Sequence, residues 1–119
     1  MPLTHATLED LTSEIRAFRD ARDWLQFHNP KELAVAITVE SGELLQHFVW
    51  QDARQSEQRV VERKSEIQSE IADVAILLLE LADNCGIDLA GAIRAKLAHN
   101  ELRYPVDKAR GSNKKYTEL

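Results

Sequence analysis

Disulfide chemistry is excluded at once, because Cys85 is the lone cysteine in 119 residues and no framework of bridges can staple the fold. A chain of this length makes one domain and buries somewhat under ~70% of its unfolded surface, enough for an apolar core. Cys85 stands beside Gly86 near an expected helix end, and the expectation is an inert, buried thiol. No run approaches the ~20 apolar residues of a membrane span. The amino terminus, Met1-Pro-Leu-Thr-His5, has no basic stretch followed by an apolar one. A soluble, cytoplasmic protein without a membrane partner is expected. Net charge is −5, which argues against a general nucleic-acid binder, although basic residues thicken toward the end at Lys96, Arg103, Lys108, Arg110, Lys114 and Lys115. Strand signals are also missing.

What remains is helical. Thr7 with Asp10 makes a capping pair ahead of Leu8, Leu11, Ile15, Phe18, Ala21 and Leu25, whose spacing predicts a helix to about Phe27. Asn29-Pro30-Lys31-Glu32 supplies an N-cap, a proline at the first position and an acid at the third, so a second helix starts there and runs to about Trp50. The polar stretch Gln51-Asp-Ala-Arg-Gln-Ser-Glu-Gln58 reads as a turn. A third helix covers roughly residues 60 to 84 and stops at Gly86, a suitable C′ residue. Asp88 caps a fourth, which carries Leu89, Ala92, Ile93, Lys96, Leu97 and Asn100 until Pro105 ends it. Residues 106 to 119 read as a non-helical tail. The fold class is therefore all-α, a four-helix bundle-like subunit in one domain spanning residues 1 to 119.

Within this pattern, Glu40 with Glu43 and Glu70 with Asp73 are carboxylate pairs three residues apart, hence neighbours on one helix face. A single such pair reads as a solvated face. Two features set these apart. Between Ile71 and Ala82 the only charged residues are Asp73 and Glu80, and a helix apolar nearly all round belongs in a core. In an antiparallel hairpin, moreover, the pairs Glu40/Asp73 and Glu43/Glu70 both centre between Ser56 and Glu57, inside the polar stretch. All four acids then face one another. Burying unpaired carboxylates costs several kcal/mol each, so the cluster calls for protons, basic partners or cations. An oxygen-only donor set suits a hard cation such as Mg²⁺ or Mn²⁺. Gly42 lies between the two glutamates and reads equally as room for close approach at the site or as close helix packing.

Lys96, Asn100, Arg103 and Tyr104 form a row at near-helical spacing, three of them donors suited to phosphate oxygens. Taken alone the row is a solvated helix face. Beside a carboxylate metal site it suggests a polyphosphate held between cations and protein. Trp24, Phe27, Phe48 and Trp50 offer flat faces on which a base could stack, and core packing is the competing role. His28, four residues after Trp24, suits either a base edge or a packing corner.

These residues resemble the all-α nucleoside-triphosphate pyrophosphohydrolases, the MazG-like enzymes, whose metal signature is E-x-x-E followed by E-x-x-D. Here it reads Glu40-Ser-Gly-Glu43 and Glu70-Ile-Ala-Asp73. The segments Trp24-Leu-Gln-Phe-His28-Asn-Pro30, Phe48-Val-Trp50, Lys96 with Asn100, Arg103-Tyr104-Pro105 and Lys114-Lys-Tyr-Thr-Glu-Leu119 are similar to the dCTP pyrophosphatase branch, so the likeness covers roughly residues 22 to 119. It implies a helical bundle assembled as a homotetramer, Mg²⁺ dependence, and hydrolysis of a deoxynucleoside triphosphate to monophosphate and pyrophosphate, a house-cleaning reaction of the nucleotide pool. It further implies that Glu40, Glu43, Glu70 and Asp73 carry metal and catalysis, that Trp24, His28 and Trp50 line the base pocket, and that Lys96, Asn100, Arg103 and Tyr104 contact the nucleotide. Leu77 departs from the animal enzymes of that branch, which have an aromatic residue there, and the departure bears on base preference. A di-iron carboxylate bundle is excluded by spacing, since it needs a His three residues after a Glu. His5, His28, His47 and His99 follow Pro2, Leu25, Leu44 and Lys96 instead. The alternatives left are a non-catalytic helical interaction module, separable by metal binding, and a pyrophosphohydrolase of the same fold with another nucleotide preference.

Overall fold

A computed structural model describes residues 5–119, so the amino-terminal Met1-Pro-Leu-Thr segment read above lies outside it. All regular structure among these residues is helical, and no helix is long and apolar enough to cross a membrane. The chain divides into two compact units, one ending at Gly86 and one spanning Ile87–Leu119.

The first unit holds α1 (Leu8–Ala21), a 3₁₀ turn (Leu25–Phe27), α2 (Pro30–Gln46), α3 (Ala53–Glu62) and α4 (Lys64–Asn84). Local chemistry starts them as expected. Thr7 and Asp10 exchange both capping bonds, and Asn29 Oδ1 accepts from the Glu32 amide at 2.9 Å. Helix α4 is the hub, packed by α1, α2 and α3. His28, just before α2, meets Glu80 and Asn84 near the end of α4, whereas His47, just after α2, meets Glu70 toward its start. The two helices therefore run antiparallel. Leu33, Ile67, Leu79 and Ala82 form the buried apolar core, each large member contributing roughly 1.5–3 kcal/mol. Arg16 adds a paired bond to Asp83 at 2.7 and 3.0 Å, which holds the Asp83 carboxyl below the usual range.

Four expectations need correction. The first helix stops at Ala21, not Phe27, because Asp23 adopts φ 54° and the amides of Asp23 and Trp24 turn back to the Asp20 and Arg19 carbonyls. This is a Schellman closure with aspartate where glycine usually stands. The stretch 51–58 is not a turn but the greater part of α3, started by a reciprocal cap between Asp52 and Gln55. The tail carries α6 (Val106–Ala109) and a second 3₁₀ turn (Tyr116–Glu118), so the described residues form six α-helices where four were expected. Cys85 is exposed, since it is the C-cap of α4 and lies past the packed face. Gly86 closes that helix at φ +66°, as its sequence position suggested.

In the second unit Asp88 caps α5 (Leu89–Arg103) through the Gly91 amide at 3.1 Å. Pro105, extended at φ −62°, ends that helix and starts α6. Tyr116 folds back so that its ring lies 5.9 Å from Tyr104 and under the Arg103 guanidinium at 4.5 Å.

The left-handed residue at the end of α1 sets the entry of Trp24 and His28. A β-branched side chain there clashes with its own backbone, at roughly 1–2 kcal/mol. Asp23→Val is expected to lower the urea unfolding free energy by about that amount, while Asp23→Gly leaves it near wild type. Equal losses in both variants would show that the Asp23 side chain, not its backbone, closes the helix.

Candidate metal centre

Glu40 and Glu43 lie one turn apart on α2, and the antiparallel pairing brings Glu70 of α4 to them. One oxygen from each of the three carboxylates lies within 4.8 Å of the others. Glu40 and Glu70 are half-buried, Glu43 is exposed, and the Oε2 atoms of Glu40 and Glu70 are buried without a hydrogen-bond partner among the described residues. Asp73, half-buried, lies outside the cluster of three, yet its charge still acts on Glu40. The Glu40 carboxyl titrates above the usual range. The first cause is Glu43, to which Glu40 can donate a hydrogen bond only when protonated; burial follows, then the charges of Glu43, Asp73 and Glu70. Orphaned, like-charged oxygens inside a fold are costly. A hard divalent cation fits this set, because it would satisfy the lone pairs and remove the repulsion together.

His47 closes one side of the cluster, with Nε2 3.8 Å from Glu70 Oε1 and Nδ1 buried without a partner among the described residues. Nothing in its sequence setting marked it. Gly42 does not serve close helix packing within the chain, since a Cβ there would meet no atom of it within 4 Å.

The aromatic residues border the same unit. Trp24 is 42% exposed, 6.1 Å from the His28 ring and edge-on to Phe18 at 5.8 Å. Trp50 is 95% exposed and holds φ 63° just after α2. A bulky side chain fully in solvent on a left-handed backbone is strained twice over, a state that persists at functional positions. His28 is held by a network that the sequence reading missed. Its Nδ1 bonds Glu80 Oε1 at 2.7 Å, and Glu80, 4% exposed, lies 3.7 Å from the buried Arg19. Asn84 accepts from Arg19 and donates to the His28 carbonyl. The available signal was Glu80 itself, a lone charge in an apolar run.

Lys96, Asn100, Arg103 and Tyr104 all belong to the second unit. Lys96 and Arg103 are exposed on α5 and Asn100 is half-buried, its carbonyl taking the Tyr104 amide at the helix end. Arg103 and Tyr104 both pack on Tyr116, a tail residue with no role in the sequence reading.

Comparison with known proteins places this geometry in context. The model of the MazG-like family matches residues 35–119, which include all four signature acids. The dCTP pyrophosphatase 1 proteins of Rattus norvegicus and Homo sapiens are each 42% identical over 115 residues, covering 95% of this chain and 68% of the relative. A solved pyrophosphatase from Archaeoglobus fulgidus DSM 4304 superposes with a TM-score of 0.81 at 40% identity, covering 88% of this chain and 98% of that one.

The raised Glu40 carboxyl has a consequence for stability. The folded, metal-free protein holds a proton that the unfolded chain has released, so stability is greater below the ordinary glutamate range and falls as pH rises through the elevated one. Chemical denaturation across that window, in chelator, is expected to show this fall, and Glu40→Gln to flatten it. A wild-type stability that rises through the same window would contradict the charge crowding described.

Proposed function

The chain belongs to the MazG-like family, and we propose that it hydrolyses dCTP, or a 5-modified dCTP, to the monophosphate and pyrophosphate with Mg²⁺ or Mn²⁺ at Glu40, Glu43, Glu70 and Asp73. The observation that carries this reading is the convergence of carboxylates from α2 and α4 with buried, unpartnered oxygens. When bound, a divalent cation supplies Lewis-acid polarisation of phosphate oxygens and offsets their repulsion from the protein's acids. The chain's own residues do the rest. The four acids would hold that cation, and one of them takes the proton from the water that attacks the α-phosphorus as the bond to the bridging oxygen breaks. In this reading Trp24 and Trp50 stack the base and His28 reads its edge. Trp24 and His28 precede α2 and Trp50 follows it, a helix about 25 Å long, so the two tryptophans on one base come from different copies of the chain. Lys96, Asn100, Arg103 and Tyr104 contact the nucleotide in this reading, with Lys96 and Arg103 compensating charge on the departing pyrophosphate. This assignment of Lys96, Asn100, Arg103 and Tyr104 rests on the family resemblance.

A homotetramer in the cytoplasm completes the proposal. Its support within the chain is apolar surface left bare on the central helices, at Val39 and Leu45 of α2 and at Ile71, Ile76 and Leu78 of α4. A stable monomer in sedimentation at micromolar concentration would refute the assembly.

A panel of nucleotides with Mg²⁺, scored for pyrophosphate, tests the activity. dCTP is expected to lead. Glu43→Gln and Asp73→Asn are expected to drop to background with unchanged circular dichroism, and Trp50→Ala to lose roughly ten- to a hundredfold in kcat/KM, the worth of about 1–3 kcal/mol per stacked base. A purine preference would overturn the base assignment, and near-normal activity in either carboxylate variant would overturn the metal assignment.

A further inference from the structure

Glu80 is the most unusual buried group outside the carboxylate cluster. It sits on α4 among apolar neighbours at 4% exposure, and both of its contacts come from other elements, Arg19 of α1 and His28 ahead of α2. A buried acid is costly to keep, and this one spends its shortest bond, 2.7 Å, on a ring nitrogen. The backbone at His28 is fixed from the same helix, because Asn84 Nδ2 donates to its carbonyl at 3.3 Å while Asn84 Oδ1 accepts from Arg19 at 2.8 Å. Ring and main chain are thus clamped together by α4.

The clamp has a chemical outcome. A carboxylate accepts hydrogen bonds and donates none, and a guanidinium beside it only donates, so Glu80 Oε1 accepts its short hydrogen bond from His28 Nδ1–H. In neutral imidazole that leaves Nε2 bare, an acceptor. Nε2 makes no hydrogen bond among the described residues, and the ring is part-exposed next to Trp24. At the edge where pyrimidines differ, cytosine presents an amine donor and thymine or uracil a carbonyl acceptor. A bare Nε2 welcomes the first and repels the second.

We propose that Glu80, supported by Arg19, is a positioning residue that fixes His28 in its Nδ1-protonated tautomer, so that Nε2 selects the amine of a cytosine base against the carbonyl of thymine or uracil. The inference rests on the reading of His28 as a base contact, and it adds the device that gives that contact its sign. Discrimination of this kind is a difference between two affinities, and it arises here from a residue that never touches substrate.

Two measurements test it. Long-range ¹⁵N–¹H correlation spectra of the substrate-free, full-length protein, above the imidazole titration range, report the tautomer directly. His28 is expected as the Nδ1-protonated form, the minority form of free histidine in water, and as a mixture in Glu80→Met. Kinetics then read specificity. In Glu80→Met the ratio of kcat/KM for dCTP over dTTP is expected to fall roughly tenfold, about 1.4 kcal/mol, with dTTP turnover holding or rising. Glu80→Gln, which keeps an acceptor oxygen, is expected to restore the ratio. Should Glu80→Met fail to fold with the buried Arg19 deprived of that acid, Arg19→Met/Glu80→Met carries the same expectation. An Nε2-protonated His28 in the wild type, or equal losses on both nucleotides, overturns the proposal. Failure of the wider reading is distinguishable, because it appears as a wild type that hydrolyses no pyrimidine triphosphate while the tautomer stands as measured.

Discussion

Repulsion between carboxylates is the constraint around which the first unit is organised. Three acids from two antiparallel helices share a space where one oxygen of each lies within 4.8 Å of the others, and Glu40 and Glu70 each have an oxygen buried without a partner among the described residues. No gain in packing rewards that arrangement. Hydrophobic contacts hold it in place, with Leu33 on α2 and Ile67, Leu79 and Ala82 on α4 forming the core. The fold thus stores an electrostatic demand that a divalent cation is suited to meet.

The second constraint is polar and lies at the other end of the same helix pair. Arg19, Glu80, His28 and Asn84 connect three segments through side chains that are buried or half-buried. Such a network fixes a geometry more than it adds stability. Asp23, left-handed at the end of α1, sets the entry of His28 to it. Trp50, also left-handed, lies past the other end of α2, so a strained backbone accompanies each part of the aromatic set assigned to the base.

Legibility in the sequence followed the range of the chemistry involved. Caps at Thr7, Asn29 and Asp88 and the stop at Gly86 are local events, and each appears where three or four residues say it should. The convergence of Glu40, Glu43 and Glu70 was legible because an antiparallel pair fixes which residues share a height, even though the connection is helix α3 and not a turn. Its capping box, Asp52 with Gln55, was present in the sequence but masked by polarity. The end of α1 was hidden because aspartate fills a position usually held by glycine. Glu80 offered a signal as a lone charge in an apolar run, but burial of Arg19 was not legible, since its partners Glu80 and Asn84 are far from it in the chain. Exposure of Cys85 depends on which face of a helix end is packed, and composition does not carry that.

Cation binding by the convergent acids themselves, without nucleotide, is the property on which the site's chemistry depends. Titration of Mn²⁺ into the nucleotide-free protein, with free Mn²⁺ read by electron paramagnetic resonance, measures it directly. Saturable binding is expected in the wild type, lost in Glu70→Gln, which keeps the shape of the site and removes one of its three converging charges. Wild-type protein that leaves Mn²⁺ free, or a Glu70→Gln variant that binds as tightly as wild type, would contradict it.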